Sequence, residues 1–458
     1  MKFINREAEL NFLEKEYVSN KSSFIIMWGR RRVGKTELLK VFSRKKPAIF
    51  YIADLTDKIY QINSFKETVA DFFKDSVFRE SRFDSFEPIF KYISQKTKQK
   101  TLLIIDEYPY LRIVDPSIDS VLQKAWDLHL KNKKIMIILS GSHISMMEKM
   151  INSYAHPLYG RRTGQLKISP FKFLDFIKFF PGHDYKNLLR FYGVFGGTPR
   201  YILEIDIKKT LWENIKEKLL NPMSSLYMEP EIILPEEIRS PFGYFTIMKS
   251  IGEGKVKLSE ISSSMHTDPR VVSKYLASLQ EMDLVERRIP VTQEKSKSRK
   301  GIYFIKDYFF RFWFRYIFGN SHLIETGRSG EVLNFIKKDF DTYMGKIFEE
   351  VILQIINQKP HLIPFKFKKA GSFWDRNLEI DIVLIGDNEV LLGECKYSKK
   401  AVNEKDFKKL FEKTKKFPLK NKKIYYAFFS LSGFSPELTK TRPPNLLLYE
   451  FGEMVKGG

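Results

Sequence analysis

Residues 23–42, SFIIMWGRRRVGKTELLKVF, constrain the fold more than any other stretch of the chain. An apolar run from Phe24 to Trp28 enters Gly29, passes three arginines and Val33, and reaches Gly34-Lys35-Thr36 before a helical pattern begins. This is G-x-x-x-x-G-K-T with a strand before it and a helix after it. Glycines at both ends let backbone N–H groups curl around phosphate oxygens. The helix N-terminus adds the positive end of its dipole. Lys35 is then expected to reach the outer phosphates of a nucleoside triphosphate, and Thr36 to offer its hydroxyl to Mg²⁺. Arg30, Arg31 and Arg32 occupy the variable loop positions, where they read as solvated charges or as further phosphate contacts.

Two more apolar runs extend this α/β reading. TLLIIDEYPYL (101–111) has the unbroken apolar core of a buried parallel strand and ends in Asp106-Glu107. The carboxyl ends of such strands are where open α/β sheets bind ligands. Asp106 is expected in the Mg²⁺ shell, and Glu107 is expected to orient or deprotonate the attacking water. KIMIILSGS (134–142) is a third buried strand, and Ser140 at its tip is a candidate sensor of the terminal phosphate. Arg161 and Arg162 precede a short strand, where they can stabilise phosphate charge or pair with acids. The stretch FGGTPRYI (195–202) offers a rigid Gly-x-Pro turn able to press on a base, with Arg200 able to reach phosphate. The residues assigned to nucleotide are therefore Gly29, Arg32, Val33, Gly34, Lys35, Thr36, Glu37, Asp106, Ser140, Pro199 and Arg200.

Length and charge set the frame for these motifs. A chain of 458 residues exceeds one ordinary core and implies several domains. No stretch reaches the roughly 18 unbroken apolar residues of a membrane span. The N-terminal MKFINREAEL carries acids where a signal peptide is apolar, so a soluble cytoplasmic protein is expected. One cysteine, Cys395, excludes an internal disulfide framework and a cysteine-based metal cluster. Lys and Arg number 78 against 55 Asp and Glu, a net charge of +23. Such an excess favours nucleic acid through counterion release. Compositional bias toward Lys, Phe and Ile explains it equally well.

Beyond about residue 235 the pattern changes to helix, short helix, helix and strand. Leu258 and Ile261 mark the short helix, and Thr267-Asp268-Pro269 reads as the capped start of the next. Val271, Val272, Tyr275, Leu276 and Leu279 recur at helical spacing. LVERRIPV, a basic tip QEKSKSRKG and a returning IYFI complete a helix-turn-helix with a β-wing. In a DNA-binding winged helix Arg270, Ser273 and Lys274 would face the major groove. Lys295, Lys297, Arg299 and Lys300 would touch phosphate. A rigid module that only transmits nucleotide state has the same pattern. DYFFRFWFRYIF (307–318) carries aromatics at helical spacing and reads as a packing helix.

The last part begins with a helix at DTYMGKIFEEVILQII (341–356) and continues into a hairpin, IDIVLI then EVLLGECKY. A two-residue turn at Asp387-Asn388 pairs residues whose numbers sum to 775, which sets Asp381 opposite Glu394. Period-2 alternation adds Lys396 to that face, while Cys395 points away as a small buried hydrophobe. Two carboxylates on one apolar face repel, and so raise a pKa or recruit a divalent cation. A neighbouring lysine then orients water or steadies a phosphorane. The catalytic candidates are Lys35 and Glu107 in the first part, and Asp381, Glu394 and Lys396 in the last. The metal candidates are Thr36, Asp106, Asp381 and Glu394. The alternative, less favoured, is an exposed hairpin with a salt bridge between Glu394 and Lys396.

The set FINREAELNFL, GRRRVGKT, LLIIDEYPYL, LSGSHISMM, PLYGRRT and FGGTPRY resembles the archaeal-type P-loop ATPases, relatives of the AAA and STAND NTPases, over about residues 1–230. The resemblance implies ATP and Mg²⁺, an adenine-side box opened by Asn5-Arg6-Glu7, and a base contact from Gly197-Thr198-Pro199. The Asp381…Glu394-x-Lys396 pattern resembles PD-(D/E)xK nucleases, with Glu349 or Glu350 as the extra acid, although the proline usual before the Asp is replaced by Glu379-Ile380. The expected organisation is a P-loop ATPase core at 1–170, a helical lid at 171–234, a winged helix at 235–306, packing helices at 307–340 and a nuclease-like α/β domain at 341–458. The expected partners are ATP and double-stranded DNA. A protein partner and a homo-oligomer are left open, and no membrane is expected.

Overall fold

The structure, a computed structural model, describes residues 3–237, 241–294, 300–418 and 422–457. Lys295, Lys297 and Arg299 of the expected wing tip lie outside the described residues. Contacts divide the chain into two compact units, one of residues 1–170 with 281–283, the other of 171–280 and 284–458.

The first unit is built on five strands: β1 (Ser23–Trp28), β2 (Ala48–Ile52), β3 (Thr101–Asp106), β4 (Ile135–Gly141) and β5 (Gly164–Lys167). They form one parallel sheet in the order β2-β3-β4-β1-β5. The central strands β1, β3 and β4 are buried along their whole length. Their unbroken runs of Ile, Leu, Phe and Met are what a strand covered on both faces requires. One face packs Phe24, Ile26, Leu103, Ile105, Ile137 and Leu139 against the helices after β2 and β3. The other packs Ile25, Met27, Leu102, Ile104 and Ile138 against Leu13, Leu38 and Leu39. The sheet is a parallel five-strand α/β sheet of P-loop NTPase type.

In the second unit, helices Pro241–Gly252, Leu258–Ser264 and Pro269–Glu281 precede an antiparallel ribbon of β6 (Val285–Arg288) and β7 (Ile302–Ile305). Val272, Leu276 and Leu279 are buried, but Val271 is exposed, so the apolar face is narrower than the periodicity predicts. The aromatic helix Tyr308–Tyr316 is buried at every position except Arg315, as a packing helix should be.

The helix expected from residue 341 begins twelve residues earlier, spanning Ser329–Gln358 without a break. The boundary placed at 340/341 therefore falls inside a helix. No proline interrupts the stretch, and Val332, Ile336, Phe340, Met344 and Ile347 continue one core face across the boundary. After it comes a mixed sheet of β8 (Phe367–Trp374), β9 (Glu379–Gly386), β10 (Glu389–Lys396), β11 (Lys423–Ser430) and β12 (Leu446–Glu450), ordered β12-β11-β10-β9-β8. β8, β9 and β10 are antiparallel, and β11 and β12 run parallel to β10.

Glu350 of the long helix ties this unit together. It accepts from Arg311 at 2.7 Å and from Arg288 at 2.9 Å. Burial opposes its charge, yet the two guanidinium groups hold its carboxyl at about 2. Removing one member of a buried ionic group strands the others in a low dielectric. Glu350→Gln is therefore expected to destabilise the chain by roughly 3–5 kcal/mol in urea denaturation.

Candidate functional site

The first site follows from strand order. β4 lies between β1 and β3, so the loop after β1, the acids after β3 and the tip of β4 share one edge. Thr36, in the first turn of helix Lys35–Ser43, donates its hydroxyl to Asp106 Oδ2 at 2.5 Å. Asp106 is fully buried, and its Oδ1 accepts the Glu107 N–H at 3.0 Å. The Lys35 ammonium donates to the carbonyls of Gly29 and Arg30, at 2.8 and 3.2 Å. A Cβ on Gly29 would fall 2.1 Å from the Ile168 carbonyl oxygen, so only glycine fits. Gly34, the residue before the helix, has φ +90°, the left-handed region that favours glycine. Arg32 also sits at positive φ. Val33 is buried, and Glu37 occupies the first helical turn. A buried carboxylate beside a hydroxyl supplies the hard oxygen donors that Mg²⁺ takes.

The tip of β4 adds residues the sequence only half revealed. Ser140 Oγ is fully buried and has no hydrogen-bond partner among the described residues. Ser142 donates both its hydroxyl and its N–H to Glu107 Oε2, at 2.8 and 3.3 Å. His143 packs its ring against Tyr110, whose hydroxyl accepts from Arg31 at 2.6 Å. Burial, and after it the cation of Arg31, hold the His143 imidazole below its ordinary pKa. His143 carries no motif of its own; the fold brings it to Tyr110, three residues beyond Glu107 in the chain.

Other expected contacts are spoken for. Arg161 pairs with Asp127 at 2.8 Å, and Arg162 donates to the Ile151 carbonyl. Arg6, at φ +75°, donates to the carbonyls of Val33 and Ser169. It thereby fastens the Asn5-Arg6-Glu7 corner to the phosphate loop. Pro199 and Arg200 belong to the second unit. There Arg200 pairs with Glu204 at 2.7 Å. Thr198 donates to Asp307 Oδ2 at 2.9 Å. A Cβ on Gly197 would meet the Phe171 carbonyl oxygen at 1.8 Å.

This geometry has relatives. The model of an ATPase domain predominantly from Archaea matches residues 3–205. An uncharacterized protein of Methanocaldococcus jannaschii is 35% identical over 433 residues, covering 93% of this chain and 94% of the relative. The chain belongs to the archaeal-type ATPase family. An ATP-binding protein of the same organism is 54% identical over 44 residues, 10% of this ATPase and 75% of that protein. A Walker-type ATPase of Pyrococcus abyssi has a similar fold, with TM-score 0.52 at 20% identity over 68% of this chain and 96% of its own. A second model, of archaeal and bacterial proteins of unknown function, matches residues 313–410 of the ATPase. Among the described residues no helix is long and apolar enough to cross a membrane.

The second acidic site lies in that C-terminal part. β9 and β10 pair Val390 with Ile385 and Gly393 with Ile382, the register that the two-residue turn predicts. Asp381 Oδ2 accepts the Cys395 N–H at 2.9 Å. Glu394 is gripped by two lysines, Lys413 at 3.1 Å and Lys396 at 3.5 Å. Lys413 comes from helix Glu404–Thr414 and has no counterpart in the hairpin pattern. Cys395 is half-buried rather than buried, and burial pushes its thiol pKa up. Among the described residues no group of three or more His, Cys, Asp or Glu side chains is placed to hold a metal ion. Both oxygens of Glu394 are thus ion-paired in this structure.

Of the two adjacent acids on the long helix, Glu350 is consumed by Arg288 and Arg311, and Glu349 joins the Asp381 cluster. Burial, and then the charge of Asp381, push the Glu349 carboxyl up to about 8. Burial and Glu394 raise Asp381 as well. Glu349 also lines a cavity of about 540 Å³ with Arg288, Phe304, Lys346 and Trp374. A carboxyl that keeps its proton in the folded state, but loses it when unfolded, makes stability fall as pH rises. Wild type should lose stability between about pH 4.5 and 8 through Glu349. Glu349→Gln should flatten that part of the profile when thermal melts are run across the range.

Proposed function

We propose that this ATPase binds Mg²⁺–ATP in the loop from Gly29 to Thr36 and hydrolyses it with Glu107 as the base. The observation that carries this reading is the Thr36–Asp106 contact at 2.5 Å beside Lys35 and Glu107. The amides of the loop take phosphate oxygens, and Lys35 exchanges its two carbonyl partners for the outer phosphates. Thr36 and Asp106 would hold Mg²⁺, which neutralises charge building on the phosphates. Glu107 accepts the proton of the attacking water, whose oxygen forms the new bond as the bridging oxygen departs with ADP. The buried hydroxyl of Ser140, without a partner among the described residues, gains a hydrogen bond when a phosphate oxygen or water arrives.

For the second unit we propose DNA as the partner. Three helices followed by an antiparallel ribbon are the arrangement of a winged helix. Arg270, Ser273 and Lys274 lie exposed on one side of helix Pro269–Glu281. Together with the +23 charge, this supports duplex binding by that helix, with nucleotide state governing when it binds. The C-terminal mixed sheet supports a nuclease-like fold. A second reading, a regulatory switch for a protein partner with a silent C-terminal domain, is favoured by the double lysine grip on Glu394.

Steady-state hydrolysis with and without duplex DNA tests the first proposal. Wild type should turn over ATP, faster with DNA, and Lys35→Ala should lose at least 100-fold, because the lysine contacts the phosphates that change charge. Lys35→Ala turning over normally would overturn it. In anisotropy titrations, Arg270→Ala with Lys274→Ala should weaken duplex binding and lower the salt slope by about 2. Mn²⁺-dependent nicking of plasmid DNA, abolished by Asp381→Ala, decides for an active C-terminal domain; no nicking by wild type decides for the silent one.

A further inference from the structure

Glu107 is held in an unusual way. Its backbone lies at φ +52°, in the left-handed region that residues with a Cβ seldom enter. Such a conformation persists only where the surroundings enforce it. Here helix Tyr108–Val114 starts directly after Glu107, and Pro109 presses onto the tip of β4. A Cβ on Gly141 would fall 2.6 Å from the Pro109 ring. The bare backbone of Gly141 therefore lets the start of this helix close down on β4, and the next residue, Ser142, comes under the Glu107 carboxylate. Both Ser142 donors converge on one oxygen, Oε2, from a residue that is 2% exposed. Among the described residues Oε1 accepts no hydrogen bond.

Resting on the reading of Glu107 as the base, we propose that Ser142 is its positioning residue: it anchors Oε2 so that Oε1 faces the attacking water. A glutamate on its own samples several rotamers, and fixing one costs side-chain entropy at each turnover. Two donors on one oxygen remove that freedom before ATP arrives and leave the second oxygen open as the proton acceptor. Both Ser142 donors end on Glu107, not on Thr36, Asp106 or the loop from Gly29 to Lys35, so the anchor acts on turnover and not on nucleotide affinity. Of its two donors, the hydroxyl is genetically removable and the N–H is not. Loss of the hydroxyl is therefore partial loss of the anchor.

The test is kinetic, on the full chain. Ser142→Ala should lower kcat about tenfold, the effect of one hydrogen bond to a charged group. KM for ATP and the calorimetric affinity for ATPγS should stay at wild-type values. Ser142→Thr, which keeps the hydroxyl, should restore kcat to within about twofold. In the Glu107→Gln background Ser142→Ala should add no further loss, because the anchored group is already gone. A rise in kcat for Ser142→Ala would show a latch that restrains Glu107, and would overturn the proposal. A parallel loss of ATPγS affinity would also overturn it, by showing that Ser142 supports the phosphate loop. If Glu107→Gln is inactive while Ser142→Ala is unchanged, only the positioning role falls. If Glu107→Gln hydrolyses ATP normally, the base assignment falls first.

Discussion

Thr36 and Asp106 meet across the tip of another strand, and much of the first unit is arranged to make that contact. Neighbouring strands are about 4.8 Å apart, so β1 and β3, separated by β4, present their ends about 9.5 Å apart. That gap is too wide for two backbones and suits two short side chains. Thr36 reaches from the helix after β1, Asp106 from the end of β3, and the hydrogen bond closes at 2.5 Å. The strand between them supplies the rest: Ser140, Gly141 and Ser142 sit where the two halves meet. The strands that end at this edge, β1, β3 and β4, are buried along their whole length, and Asp106 and Lys35 are buried with them. Charges facing one another there act through a lower dielectric than in water.

Glycine decides this geometry at two places for one reason. Gly29 and Gly141 have no left-handed φ to explain them; each stands where another chain segment passes too close for a Cβ. At Gly29 the segment is the Ile168 backbone, which seats the phosphate loop on the end of β5. At Gly141 it is Pro109, which brings the helix after Glu107 down onto β4. Gly34 serves differently, as the left-handed residue that starts the helix.

The sequence made the first site legible because a phosphate loop writes its chemistry in consecutive residues. Gly29, Gly34, Lys35 and Thr36 are adjacent in the chain and adjacent in space. Asp106 and Glu107 were readable only beside that loop, since an apolar strand ending in two acids is by itself more often an ordinary strand-end turn. Ser142 and His143 were not, since their roles depend on which strand lies between β1 and β3. The hairpin register was legible from turn length alone, which set Asp381 against Glu394. The hold of Lys413 on Glu394 was not, because it comes from a helix 19 residues further along. Glu349 and Glu350 show the limit most clearly. They are neighbours of one residue type on one helix, yet one lies between two arginines and the other beside a carboxylate. The first is held near 2 and the second near 8. Nothing in the order of residues separates them; the partners across the helix do. The long helix runs unbroken from Ser329 through residue 341 because the residues between contain no helix stop.

The role of the first site turns on where a triphosphate sits. A crystal structure of the full chain with a non-hydrolysable ATP analogue and Mg²⁺ is the most direct measurement. The phosphates should lie against the amides from Gly29 to Thr36 with Lys35 turned onto them. The metal should sit between Thr36 and Asp106, and Oε1 of Glu107 should face the terminal phosphate. An analogue bound elsewhere, or an empty loop at saturating nucleotide with Lys35 still on the Gly29 and Arg30 carbonyls, would contradict it.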